Sequence, residues 1–226
     1  MMARDKLIVA LDVETRAEAI SLALALRPFA AWMKIGLQLF TAEGLDVVRA
    51  IRETGANVFL DLKLHDIPNT VAGAVKSAAR LDVQMLTLHL LGGGEMIRAA
   101  LDVAPASLLL LGVTVLTSAD ANTLRATGVN ADVAQQVERL GRVGVENGLR
   151  GLVASAHELP LLRRTCGEEM KLIVPGIRHS TDAHDQKRTM TAREAIRAGA
   201  DYIVIGRPIT RAPDPVGAAR KILEEA

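Results

Sequence analysis

The segment Asp61-Leu62-Lys63-Leu64-His65-Asp66 crowds acid and base into six residues. On an extended strand alternate side chains share a face, so Asp61 and Lys63 point one way while Leu62 and Leu64 pack the other way. Lys34 stands between Met33 and Ile35; with those apolar neighbours turned outward, its ammonium reaches the same side. The expected result is an alternating array of Lys34, Asp61, Lys63 and Asp66. At about 4 Å and an effective dielectric of about 20, each opposite-charge contact is worth roughly 4 kcal/mol. Lys63 between two carboxylates is then a protonated acid, able to deliver a proton, and a carboxylate set beside a substrate's own carboxylate raises that substrate's energy. A structural ion-pair cluster is the competing reading. Buried pairs seldom improve on an apolar filling, so four charged groups gathered at one place point to chemistry.

Groups from separate segments meet only if a scaffold brings them together. Short apolar runs supply eight strand candidates: Leu7–Val13, Ala31–Gly36, Asn57–Leu64, Met85–Leu90, Leu108–Leu116, Gly151–Ala156, Lys171–Ile177 and Tyr202–Ile209. Runs such as Leu-Leu-Leu-Leu at 108–111 suit parallel strands covered on both sides. Helical patterns lie between them, including Thr15–Arg27, Ala42–Glu53, Asn69–Leu81, Met96–Val103, Val133–Asn147 and Thr191–Ala198. Gly55 and Gly199 follow helical patterns, and Thr191 and Asp214 offer N-cap oxygens, Asp214 with Pro215 directly after it. Eight such units in 226 residues predict one domain over 1–226, a (β/α)8 TIM barrel. The rival is a doubly wound dinucleotide fold, but the turn after the first strand, Asp12-Val13-Glu14-Thr15, has no glycine fingerprint. A barrel places its site at the C-terminal strand ends, where Asp12, Lys34, the 61–66 stretch, His89, Thr117-Ser118, Ser155, Gly176 to Arg178 and Gly206-Arg207 fall.

Anion binding has to be local, because 27 Lys and Arg against 26 Asp and Glu leave a net charge of +1 and no general field for nucleic acid or an anionic membrane. Gly206 permits close backbone approach after the last strand, Arg207 supplies a fork of donors, and Arg178 lies after strand seven, so a phosphate site is expected there. Thr117-Ser118 alone reads as an ordinary turn. His65 and His89 lie in no metal-ligand constellation and read as neutral, hydrogen-bonded structural residues. Cys166 has no second cysteine to pair with and is expected just past a helix with a structural role. No signal peptide or membrane span is expected, which makes the cytoplasm the plain location.

The run Asp61-Leu62-Lys63-Leu64-His65-Asp66-Ile67-Pro68-Asn69-Thr70 resembles the signature of the orotidine 5'-phosphate decarboxylase family. Matching segments extend over almost the whole chain: Ala10-Leu11-Asp12, Lys34-Ile35-Gly36, Val115-Leu116-Thr117-Ser118, Pro175-Gly176-Ile177-Arg178, Asp185-Gln186-Lys187-Arg188 and Gly206-Arg207-Pro208-Ile209. The resemblance implies a homodimer acting on orotidine 5'-phosphate without metal or organic cofactor. It assigns catalysis to Lys34, Asp61, Lys63 and Asp66, with Lys63 as the proton donor and Asp66 reaching into the partner's site. Asp12 and Lys34 would meet the ribose, and Ile67 and Thr70 would approach the nucleotide from the neighbouring subunit. Thr117 and Ser118 would hold the pyrimidine, while Arg178, Gln186, Gly206 and Arg207 would surround the phosphate, Gln186 also reaching the base, and Pro175 would be a further substrate contact. The chain departs from the family's frequent pattern at His89-Leu90-Leu91-Gly92-Gly93, where His-Ala-x-Gly-Gly is common, and at Leu64, often Phe. Two alternatives stand beside this reading. One is a magnesium-dependent phosphosugar decarboxylase or aldolase on the same barrel, opposed by the ammonium of Lys34. The other is a non-catalytic nucleotide-binding barrel, which would bind UMP without turnover.

Overall fold

The computed structural model describes residues 3–177 and 190–225. They form a closed barrel of eight parallel strands in sequential order: β1 (Leu7–Ala10), β2 (Trp32–Gly36), β3 (Asn57–Leu64), β4 (Met85–His89), β5 (Leu109–Val113), β6 (Gly151–Val153), β7 (Lys171–Val174) and β8 (Tyr202–Ile205). Pairing of β1 with β8 closes the cylinder, which excludes the open dinucleotide-binding sheet. Around it lie α1 (Ala3–Lys6), α2 (Arg16–Leu26), α3 (Leu37–Glu53), α4 (Pro68–Ala79), α5 (Gly93–Leu101), α6 (Ala121–Ala126), α7 (Val133–Glu146), α8 (Leu159–Cys166), α9 (Ala192–Arg197), α10 (Arg207–Thr210) and α11 (Pro215–Glu225).

Strand alternation divides the apolar residues into two cores. Leu7, Val9, Met33, Ile35, Leu86 and Leu88 face outward and are buried beneath the helices. Ile8, Phe59, Met85, Leu111, Ile173 and Val204 fill the barrel's interior. This inner plug closes the lower part of the cylinder and leaves polar side chains to the upper end, as barrel packing requires.

Several expected strands run too long at their C-terminal ends. Leu11, Val13, Val115, Ala154, Ala156, Ile177 and Ile209 lie past the last ladder residue yet are buried, so apolar composition continues beyond the strands into loops and short helical turns packed against the helix layer. The strand expected at Asn57–Leu64 has those bounds, although its pairing with β4 shifts register between Leu60 and Leu64. Thr15, Asp132 and Thr191 cap their helices through side-chain oxygens, and Asp214 accepts from the Gly217 amide at 2.9 Å. The helix expected from Ala42 starts earlier, at Leu37, and is interrupted at Gly44, where φ is 64°. The one expected over Met96–Val103 is observed as α5, which starts three residues earlier, at Gly93, and ends two earlier, at Leu101. Cys166 ends α8 and does not follow it. Among the described residues, no helix is long and apolar enough to cross a membrane.

Candidate active site

The register of β1, β2 and β3 assembles the charged groups. Ala10 pairs with Lys34 and Gly36 with Asp61, and the Leu11 amide donates to the Lys34 carbonyl at 2.9 Å. Asp12, just beyond β1, therefore lies beside the end of β2. Lys34 Nζ is 3.4 Å from Asp12 Oδ1 and 3.6 Å from Asp61 Oδ2. Lys63 Nζ donates to both oxygens of Asp61 at 2.9 Å. The sequence of charges is Asp12, Lys34, Asp61, Lys63, formally neutral as a set. Side-chain exposure is 12% at Lys34, 13% at Asp61, 32% at Lys63 and 43% at Asp12, so the central pair is more sheltered than the ends.

Within one chain this order differs from the expected array in one member. Asp66 makes no ion pair with Lys63; it is exposed, and its Oδ1 accepts from the Ile67 amide at 2.7 Å. The physical reason is where the strand stops. After Leu64 the chain turns outward to start α4 at Pro68, which carries Asp66 to the rim with Ile67 (66% exposed) and Thr70, also exposed. Within one chain these three residues do not line the cleft described below.

Lys63 also departs from plain strand geometry. Its φ is 50°, in the left-handed region, a conformation that costs a non-glycine residue about 1–3 kcal/mol and persists only where its surroundings impose it. The register shift in β3 frees its amide, which donates to Thr87 Oγ1 at 2.8 Å. Leu62 and Leu64 still pack against the outer core, so the expected division of faces holds through the irregularity.

Burial alone would push the Asp61 carboxyl upward. The ammonium groups of Lys34 and Lys63, with hydrogen bonds from Lys63 and Thr87, outweigh it and hold the group below its ordinary range. Asp61 is thus a fixed negative charge at neutral pH. Gly36 contributes by what it lacks: a Cβ there would stand 2.9 Å from Lys34 Nζ and 3.4 Å from Asp12 Oδ1.

Two lobes open above this network and share Lys34, Asp61, Pro175 and Val204. One, of about 560 Å³, has Lys63 and Thr117 on a largely apolar wall that includes Phe59, Val113 and Val153. The other, of about 640 Å³, is bounded by Asp12, Gly176, Gly206 and Arg207. A flat ring suits the first and an anion the second. Thr117 lines the first lobe, whereas Ser118 is exposed and outside that lining. Arg178 and Gln186 lie outside the described residues. His65 and His89 stack with centroids 5.6 Å apart; burial, then the charges of His65 and Lys63, pushes His89 below the usual histidine range. Its Nδ1 accepts from the Leu91 amide at 3.4 Å. Among the described residues, no group of three or more His, Cys, Asp or Glu side chains could hold a metal ion. Cys166 lies near Gly141 on the helix layer, its thiol pushed up by burial.

Sequence reasoning passed over Thr87, which hydrogen-bonds to both Asp61 and Lys63. The available signal was parity: in Met85-Leu86-Thr87-Leu88, Thr87 shares the inward face with Met85.

The chain matches the model of the orotidine 5'-phosphate decarboxylase / HUMPS family over residues 5–222. It is 52% identical to the orotidine 5'-phosphate decarboxylase of Opitutus terrae, covering 97% of each chain. It is 49% identical to that of Syntrophotalea carbinolica over 99% of this chain and 95% of the relative. The crystal structure of orotidine 5'-phosphate decarboxylase from Lactobacillus acidophilus superposes with a TM-score of 0.86 at 34% identity, covering 98% of both chains.

Proposed function

The chain belongs to the orotidine 5'-phosphate decarboxylase / HUMPS family, and from that membership we infer that it is a carboxy-lyase converting orotidine 5'-phosphate to UMP and CO2 in pyrimidine biosynthesis. The observation that carries the mechanism is the Asp12-Lys34-Asp61-Lys63 charge order, with the Lys63 ammonium at the wall of the ring-sized lobe.

The phosphate sits in the lobe bounded by Gly206 and Arg207, with Pro175 between phosphate and base; the family resemblance adds Arg178 and Gln186, which lie outside the described residues. The ribose lies over Asp12 and Lys34. The pyrimidine occupies the other lobe, its imide edge toward Thr117 and Ser118. This orientation puts the C6 carboxylate against Asp61, where like charges repel in the ground state and the repulsion disappears as neutral CO2 departs. The C6–carboxylate bond breaks and its electron pair stays in an in-plane orbital on C6, which the ring's π system cannot delocalise. The Lys63 ammonium stabilises that charge electrostatically and transfers a proton to C6, giving UMP; the neutral amine then regains a proton from solvent. No Schiff base, metal or organic cofactor is needed.

Asp66, Ile67 and Thr70 stand together on the rim of their own subunit, an arrangement that supports a homodimer in which they complete the partner's site. The balanced charge supports a small-molecule enzyme without nucleic-acid or membrane partners, and its place in pyrimidine biosynthesis favours the cytoplasm. The magnesium-dependent phosphosugar reading is disfavoured because the ammonium groups of Lys34 and Lys63 already balance Asp12 and Asp61 where a cation would have to bind.

Lys63→Ala tests the assignment. The variant should fold and keep UMP affinity while kcat falls by about 10⁴-fold or more. Turnover within tenfold of wild type (about 1.4 kcal/mol,) would remove Lys63 from the chemistry.

A further inference from the structure

Thr87 is fully buried, in the middle of β4, on the inward face otherwise filled by Phe59, Met85, Leu111, Ile173 and Val204. A hydroxyl in that apolar layer is unfavourable unless bonded, and valine would match its shape without that cost. Both of its hydrogen bonds run to the reacting segment. Thr87 Oγ1 donates to Asp61 Oδ1 at 3.0 Å and accepts from the Lys63 amide at 2.8 Å. The amide it accepts from belongs to the residue with a φ of 50°, at the register shift between β3 and β4. A backbone carbonyl could accept from the amide but has no proton to give the carboxylate; a side-chain hydroxyl, with one proton and two lone pairs, serves both.

We propose that Thr87 is a positioning residue for the decarboxylation, holding the Lys63 backbone in its left-handed turn and fixing the Asp61 carboxylate, so that ammonium and carboxylate face the substrate in one geometry. The proposal rests on reading this site as a decarboxylase. Thr87 touches no substrate; it acts through the two groups that do. Loss of the hydroxyl should therefore loosen the transition-state array more than the binding of nucleotide, whose phosphate and ribose contacts lie elsewhere.

The test is steady-state turnover of orotidine 5'-phosphate by wild type, Thr87→Val and Thr87→Ser, with UMP affinity measured on each. In Thr87→Val, kcat should fall about 100-fold, the effect of a displacement near 1 Å in a reacting array, while KM and UMP affinity change by less than about threefold. Thr87→Ser, which keeps the hydroxyl, should recover kcat to within about fivefold of wild type. If the valine variant does not fold, Thr87→Cys, similar in size to serine and a weak hydrogen-bonding group, carries the same expected loss. An unimpaired Thr87→Val, or serine and valine variants equally impaired, would overturn the proposal while leaving the decarboxylase reading in place. A wild-type protein that leaves orotidine 5'-phosphate intact would overturn both.

Discussion

Lys34 is held between two carboxylates by a gap no wider than a missing methyl group. A Cβ at Gly36 would stand 2.9 Å from its ammonium, and the ammonium is the end of a flexible chain, so it, and not the backbone, would yield. Gly36→Ala is therefore expected to separate activity from stability. Displacing Lys34 should lower kcat/KM by about 10- to 100-fold, while the melting temperature moves by less than about 4 °C, the equivalent of roughly 1–2 kcal/mol in a chain of this size. Comparing initial rates and thermal melts of the two proteins checks it, and a loss of stability with no loss of rate would contradict the account of Gly36. At this scale the sequence was partly legible. Parity along one strand placed Asp61 and Lys63 together, and the apolar neighbours of Lys34 turned it inward. The same reasoning put Asp66 in the array because it extended the strand's logic past Leu64, where the backbone has already turned toward α4. Asp12 was legible as a site residue but not as the array's fourth charge, since that depends on the register of β1 against β2.

The elements are tied at the opposite end of the barrel by contacts with no local pattern. Arg163 on α8 donates to the carbonyls of Met170 at 2.6 Å, Glu168 at 3.0 Å and Gly199 at 2.6 Å, and to Asp201 Oδ2 at 2.7 Å. Asp201 also accepts from the Leu172 amide at 2.9 Å and Lys171 Nζ at 3.2 Å. Burial raises the Asp201 carboxyl, but the Leu172 amide and the Arg163 and Lys171 charges outweigh it and hold it below the ordinary value. A depressed folded-state pKa adds stability above the unfolded value, near 3.9, and that stability is lost as pH falls through the folded one. Asp201→Asn should accordingly be less stable than wild type at pH 7, by about 2–4 kcal/mol. Urea midpoints should converge as pH drops below about 4; a constant gap across that range would mean the carboxylate's charge is not what stabilises the junction. Composition alone could not reveal this staple, whose partners lie up to 38 residues apart. The strands and most helices were legible because each has its own period and caps. Their ends were not, because the loops after them are apolar and buried as well.

For the whole molecule, closure of β8 onto β1 gathers loops from every strand end at one face and leaves the lower interior packed. The alternation of strand and helix announced that architecture. What lay beyond it in the sequence was the rim, where Asp66, Ile67 and Thr70 do not line the cleft of their own chain and the proposed homodimer gives them a site to complete. The central claim is that this face removes CO2 from orotidine 5'-phosphate by charge placement alone, with Lys63 as acid and no metal. The most direct measurement is the loss of orotidine 5'-phosphate absorbance on adding purified protein in excess EDTA, with UMP identified as product. Rapid, complete and EDTA-resistant conversion is expected. An inert protein under those conditions that acts on phosphosugars once magnesium is supplied would contradict it.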